Sequence, residues 1–329
     1  MRILVLGTGV IGTTYGYILA EAGHDVRHYV RLCGESDRRP GTIPLHLLDG
    51  RTTQPREIET VYRAHIVDTF APTDAYDLVL ASVKHYDLSA CLPRLAVGAG
   101  PADILLFNNW WDTFAPIDRH LAGRYLWGFP VAGGGWQDGV LDAAILDHVQ
   151  LGEPDGSVTP RLERIATCFT DAGLTVERPP RMLDWLWTHF ATEAGLIASA
   201  IEAGSVDALL DDTGRLASAV LAVRDGLEVC RARGIDVDAV PDAQAFYAPA
   251  DMVAAGLQHF YAMSVPARRI LERHTGVEEL KRIYRDVVST GLELGVTMPR
   301  LLALGPVVEA WDGTVAEPAG DLVATAYRD

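Results

Sequence analysis

The stretch Met1-Arg-Ile-Leu-Val-Leu-Gly7-Thr8-Gly9-Val10-Ile11-Gly12 decides the fold. Residues 3–6 are a short apolar run with β-branched members, long enough for one buried strand and too short for a helix. Three glycines follow at the G-x-G-x-x-G spacing, and a helix-period set (Val10, Tyr15, Ile18, Leu19, Ala22) begins inside the motif. The glycines differ in what they permit. Gly7 allows the tight turn, Gly9 lets the backbone approach a pyrophosphate, and Gly12 lets helix and strand pack closely. The helix start adds unpaired N–H groups and a partial positive charge. In a chain with 31 glycines the bare pattern carries little weight. Its place between a strand and a helix is what makes Gly7, Thr8, Gly9, Val10, Ile11 and Gly12 a dinucleotide-binding turn.

The rest of the composition narrows the classes. With 329 residues, 49% hydrophobic and 22% charged, the chain suits a globular protein of two domains. No apolar run approaches the ~20 residues of a membrane span. The chain runs straight into its first strand without a signal-like segment, and a cytoplasmic protein is expected. Cys33, Cys91, Cys168 and Cys230 are scattered, which fits a reducing compartment and neither a disulfide framework nor a zinc site. The formal net charge of −16 disfavours nucleic acid and anionic membranes as partners. No H-E-x-x-H pair and no G-x-S-x-G elbow occurs, so neither metal catalysis nor a serine nucleophile is expected. Two of the 28 basic residues are lysines, Lys84 and Lys281. Where arginine fills nearly every basic position, a lysine at a strand end stands out as a compact point donor, whereas Lys281 reads as a solvated helix residue.

Residues 26–30 read as the second strand. NAD sites place an acid near the end of this strand for the ribose 2′-hydroxyl. This region carries Arg27, His28 and Arg31 with no carboxylate until Glu35, and a cation suits a 2′-phosphate, so NADP(H) is the expected cofactor. Residues 32–75 are irregular, with small strands and turns expected around short apolar stretches at 43–48, 58–62 and 64–67. Buried strands follow at 78–81, ending in Ser82-Val83-Lys84, and at 104–107, ending in Asn108-Asn109-Trp110-Trp111. Ligands of doubly wound sheets bind beyond the carboxyl ends of the strands, which aims Lys84 and the asparagines at the nicotinamide. A core reading suits one of the two tryptophans and suits both less well. A strand at 126–131 leads into a glycine loop at 132–136, a hairpin (139–141, 145–151), a helix at 159–172 and a last strand near 174–177. Arg178-Pro179-Pro180 breaks the chain. Long helices are predicted at 183–203, 215–233, 251–272 and 278–294, with Gly234, Gly276 and Gly295 as stops. The expected architecture is α/β: a doubly wound dinucleotide-binding domain over 1–180 and an all-helical domain over 181–329, with catalysis in the cleft between them.

With these features the chain resembles the ketopantoate reductase family over nearly its whole length. The resemblance rests on the glycine motif, Arg31, Ser82-Val-Lys84, Asn108-Asn109, the tryptophan-bearing long helix and Gly295-Val-Thr-Met-Pro299. It implies an N-terminal Rossmann domain plus a helical domain similar to the C-terminal one of 6-phosphogluconate dehydrogenase. It also implies NADPH-dependent reduction of a small-molecule carbonyl substrate. Arg31 would contact the 2′-phosphate, and Lys84 and Asn109 would lie near the nicotinamide and its ribose. The family's C-terminal glutamate falls on Glu279 and its substrate-binding serine on Ser264. Some relatives pair through their helical domains, so a homodimer is compatible with the resemblance.

The departures redirect the chemistry. The long helix reads Trp185-Leu-Trp187-Thr-His189-Phe-Ala-Thr-Glu193-Ala-Gly-Leu-Ile197. The family's proton-donating lysine is replaced by His189, and the asparagines that follow by Glu193 and Ile197. His189 and Glu193, four apart, share one helix face. A carboxylate beside an imidazole raises its pKa and fixes its tautomer, giving a usable acid near neutrality. Trp110 in place of the family's glycine, with Ile197, implies a more apolar substrate pocket. The expectation is an NADP(H)-dependent reductase acting on a carbonyl or imine other than ketopantoate, in a specialised pathway. His189 would be its proton donor, oriented by Glu193 and assisted by Lys84. Two other readings stay open: a non-redox acid/base enzyme (cyclase, dehydratase or isomerase), and a nucleotide-sensing binding protein.

Overall fold

The computed structural model describes residues 1–30, 41–274 and 276–313. It begins with β1 (Arg2–Leu6), α1 (Val10–Glu21), β2 (Asp25–Tyr29), β3 (Thr42–Asp49), β4 (Arg56–Arg63), β5 (His65–Val67) and β6 (Leu78–Ala81). Next come α2 (His85–Gly98), β7 (Asp103–Phe107), α3 (Ala115–Leu121), β8 (Tyr125–Gln137), β9 (Val140–Gly152), α4 (Pro160–Asp171) and β10 (Thr175–Glu177). The rest is helical: α5 (Met182–Ala203), α6 (Val206–Leu210), α7 (Thr213–Ala232), α8 (Pro241–Gln244) and α9 (Ala250–Met263). It finishes with α10 (Val265–Glu272), α11 (Val277–Glu293), α12 (Pro299–Ala303) and α13 (Gly305–Ala310).

The described strands form one mixed sheet in the order β4-β3-β9-β8-β7-β6-β1-β2-β5, with β10 beside β9. The run β5-β2-β1-β6-β7-β8 is parallel and follows the doubly wound order, whose switch point lies between β1 and β6. Alternation along β1 serves both faces. Ile3 and Val5 join Tyr15, Ile18 and Phe169 in one core, while Leu4 and Leu6 join Leu88, Leu92 and Ile117 in the other. The helix α5 links two cores. Its first turns, with Met182 and Leu186, pack into the sheet, and from Trp187 onward it belongs to the helical core with α7 and α11.

Two expectations change, and the small strands expected within 32–75 take a definite place. The glycine stretch at 132–136 is not a loop but part of β8, paired antiparallel with β9 from Gly133↔Ala144 to Trp136↔Leu141. Gly133 serves a close approach by α10, since a Cβ there would lie 2.7 Å from Ile270 Cγ2. The helix expected over 251–272 is two helices. Pro266 cannot continue α9, so the chain restarts with Ser264 capping the Ala267 N–H. The irregular segment also contributes an antiparallel β3–β4 pair that extends the sheet beyond β9.

Candidate active site

At the nucleotide end, the glycine turn has the geometry its spacing predicts. Gly7 is left-handed, with φ +93°. A Cβ on Gly12 would meet Ser82 Oγ at 2.9 Å and the Gly7 carbonyl at 3.0 Å, so the close helix–strand contact is real. A Cβ on Gly9, the residue preceding α1, would meet nothing within 4 Å. The first turn of α1 carries no acidic side chain to satisfy the helix dipole. Open space at Gly9 with an uncompensated helix start fits a dinucleotide pyrophosphate.

The basic residues of β2 divide differently from expectation. His28 is fully buried, and burial lowers its pKa. It donates from Nδ1 to the Gly7 carbonyl at 2.9 Å and lies 2.9 Å from the Tyr62 hydroxyl through Nε2. It is a neutral strut beneath the turn and not a cation for phosphate. Arg27 Nε lies 3.6 Å from Asp25. Arg31 and Glu35 lie outside the described residues.

Beyond the carboxyl ends of β6 and β7, elements far apart in sequence bring their polar groups together. His189 Nε2 and Glu193 Oε1 approach to 3.3 Å on α5. The Asn109 amide, just past β7, donates to Glu193 Oε2 at 2.7 Å. Lys84, just past β6, places Nζ 3.5 Å from Glu279 Oε2 on α11, and the same oxygen is 3.3 Å from His274 Nε2 beyond α10. Burial pushes the Glu193 carboxyl up, but the charges of His189 and His274 and the Asn109 amide outweigh it and hold the group below the usual carboxylate range. Burial likewise opposes ionisation of Glu279, and His274, Lys84 and His85 overcome it. Burial opposes the Lys84 charge too, and Glu279 with Tyr86 leaves it raised. Burial, reinforced by Glu193, pushes the Tyr261 hydroxyl of α9 up to about 12. Aromatic rings fix the His189 imidazole: Trp185 stacks on it at 4.8 Å and 8°, and Phe129 of β8 meets it edge-on at 4.3 Å.

Not every candidate converges. Asn108 is structural, its amide donating to the Val83 carbonyl at 2.8 Å. Trp110, 4% exposed, packs against Trp127 in the sheet core, so it offers no wall to a substrate. Trp111, 7% exposed, stacks on Phe190 in the helical core. Both tryptophans are core residues, and each indole N–H finds a partner, the Thr113 carbonyl and the Thr290 hydroxyl. Ser264 acts as the cap of α10, and Lys281 donates to the Glu309 carbonyl on the surface. Sequence reasoning missed His274, Tyr261, Trp185 and Phe129. Trp185 was legible as the residue four before His189; the others arrive from distant elements with no local signal.

A surface cleft of about 600 Å³ lined by Arg27, Val30, Gly41, Ile66 and Tyr76 shares no residue with this polar cluster. Among the described residues no group of His, Cys, Asp and Glu could hold a metal, and no helix is long and apolar enough to cross a membrane.

A family model for ketopantoate reductase PanE/ApbA matches residues 3–152. The 2-dehydropantoate 2-reductase of Aquifex aeolicus (strain VF5) is 27% identical over 183 residues, which are 53% of this chain and 54% of that protein. The match thus spans about half the length of this curated relative. Among solved structures, the 2-dehydropantoate 2-reductase from Geobacter metallireducens GS-15 has a TM-score of 0.66 at 21% identity, covering 94% of this chain and 99% of that one. D-mandelate dehydrogenase in its ternary structure with NADH and anilino(oxo)acetate has a TM-score of 0.67 at 14% identity, covering 94% and 97%. Both structural likenesses are likenesses of fold.

Proposed function

From its likeness to the ketopantoate reductases, we propose that this chain is a nicotinamide-dependent reductase of that kind whose proton donor is His189. The observation that carries the reading is the His189–Glu193–Asn109 cluster at the carboxyl end of β7, beside Lys84 at the end of β6. The bound dinucleotide would supply the hydride, leaving the protein to orient the reactants and deliver a proton.

Gly7, Thr8, Gly9, Val10, Ile11 and Gly12 would hold the pyrophosphate. Arg31 would select the 2′-phosphate, making the cofactor NADP(H). Glu279, paired with Lys84, would face the nicotinamide ribose, and Asn109 would bridge cofactor and substrate. His189, clamped by Trp185 and Phe129, has one ring face and one edge taken, so its Nε2 can present a proton in only a narrow range of directions. Glu193 beside it would offset the donor's charge when the proton is replaced. The substrate is a carbonyl or imine other than ketopantoate, because neither the lysine nor the asparagines of that family's helix are present on α5.

A titration with NADPH and with NADH, followed by nicotinamide fluorescence, tests the cofactor half. NADPH-selective binding that weakens in Arg31→Ala is the expected result. Failure to bind either nucleotide overturns the reductase reading and leaves non-redox acid/base chemistry at His189 and Glu193.

A further inference from the structure

We infer that the reducible bond of the substrate is C=N, so that the site takes an imine and releases an amine, in preference to an α-keto acid. This rests on the reductase reading and deepens it.

One unused hydrogen-bonding group of the site is an acceptor held in a fixed orientation. Asn109 gives its Nδ2 to Glu193, a carboxylate that can only accept, so the amide orientation is fixed and Oδ1 is left as an acceptor. That Oδ1 is buried and has no partner. Glu193 Oε1 lies 3.3 Å from His189 Nε2 but without hydrogen-bond geometry, and Nε2 is itself buried and unpartnered. A ligand that brings an N–H donor would satisfy Asn109 Oδ1, which the oxygens of an α-keto acid cannot do.

Charge points the same way. Two carboxylates, Glu193 and Glu279, face this region, and the nearby fixed cation, Lys84, already lies 3.5 Å from Glu279. Glu193 has as its partners a neutral amide and the titratable imidazole of His189, with His274 also acting on it by charge. A second anion beside it would be repelled, while an iminium or ammonium would be drawn to it.

The step balances. The imine nitrogen takes a proton from the His189 imidazolium, and Glu193 offsets the resulting iminium charge. The iminium carbon then accepts a hydride from the reduced nicotinamide, and the π pair of the C=N bond becomes the nitrogen lone pair. His189 regains its proton from solvent, and the products are the amine and the oxidised dinucleotide.

Two probes of matched size test this, with NADPH binding confirmed first. Tetrahydroisoquinoline and mandelate are titrated calorimetrically into the protein with NADP⁺, and dihydroisoquinoline and phenylglyoxylate are assayed for NADPH oxidation. The amine is expected to bind about tenfold or more tightly than mandelate, as a single charge in a partly buried site would give. Glu193→Gln should erase that preference with NADPH binding intact, while Glu193→Asp, which keeps the charge, should preserve its sign. Tighter mandelate binding, or reduction of phenylglyoxylate and not of dihydroisoquinoline, overturns the imine assignment and leaves the reductase reading standing. Absence of NADPH binding overturns both.

Discussion

The Asn109 amide donates to Glu193 Oε2 at 2.7 Å, tying the residue beyond β7 to the middle of α5. Glu193 is thereby held by the sheet on one oxygen and faces His189 with the other. One hydrogen bond and one 3.3 Å approach thus connect the candidate acid and its orienting carboxylate to the end of β7.

His189→Ala should lower kcat by ~10²–10⁴-fold, the usual contribution of a positioned general acid, with NADPH affinity unchanged. Steady-state kinetics alongside a nucleotide titration decide it. A variant that keeps full turnover would remove His189 from the mechanism.

Glu193 ties stability to pH. Its folded pKa lies below the usual range, so its stabilising contribution is fully present above the unfolded value of about 4.3 and is lost as pH falls through the folded value. Glu193→Gln should therefore flatten the decline in urea midpoint below about pH 5. Glu279, shifted in the same direction, supplies the slope that remains. Equal slopes in variant and parent would mean that the carboxylate carries no such linkage.

The two neighbouring glycines should separate fold from binding. Gly9→Ala meets open space, so its melting temperature should stay close to the parent's while dinucleotide binding is lost. Gly12→Ala forces a Cβ to within 3.0 Å of the Gly7 carbonyl and should cost ~1–3 kcal/mol of stability as well. Thermal melts with and without NADPH distinguish the two, and a Gly9→Ala protein that binds normally would contradict the pyrophosphate placement.

Gly133→Ala places a methyl 2.7 Å from Ile270 Cγ2, pushing on α10 just ahead of His274. A loss of ~1–3 kcal/mol is expected, with a fall in turnover beyond what the melt explains. An unchanged melt would show that α10 sits less tightly on β8 than the structure has it.

The sequence by itself determined what short-range physics controls. A β-branched apolar run, three glycines and an amphipathic start fix β1, its turn and α1, because each interaction spans a few residues. The four-residue spacing of His189 and Glu193 placed the pair on one face in the same way, and it is found there. Tertiary structure decided what only distant chain segments settle. Adjacent asparagines took different roles, Asn108 bracing β6 and Asn109 reaching α5, because the chain turns between them. Adjacent tryptophans entered different cores for the same reason. The glycine run of β8 reads as a loop until β9 pairs with it and α10, more than a hundred residues later, packs on Gly133. His274, Tyr261 and Phe129 carry no local mark of a site, since what makes them part of one is the approach of three elements whose pairing no sequence window contains.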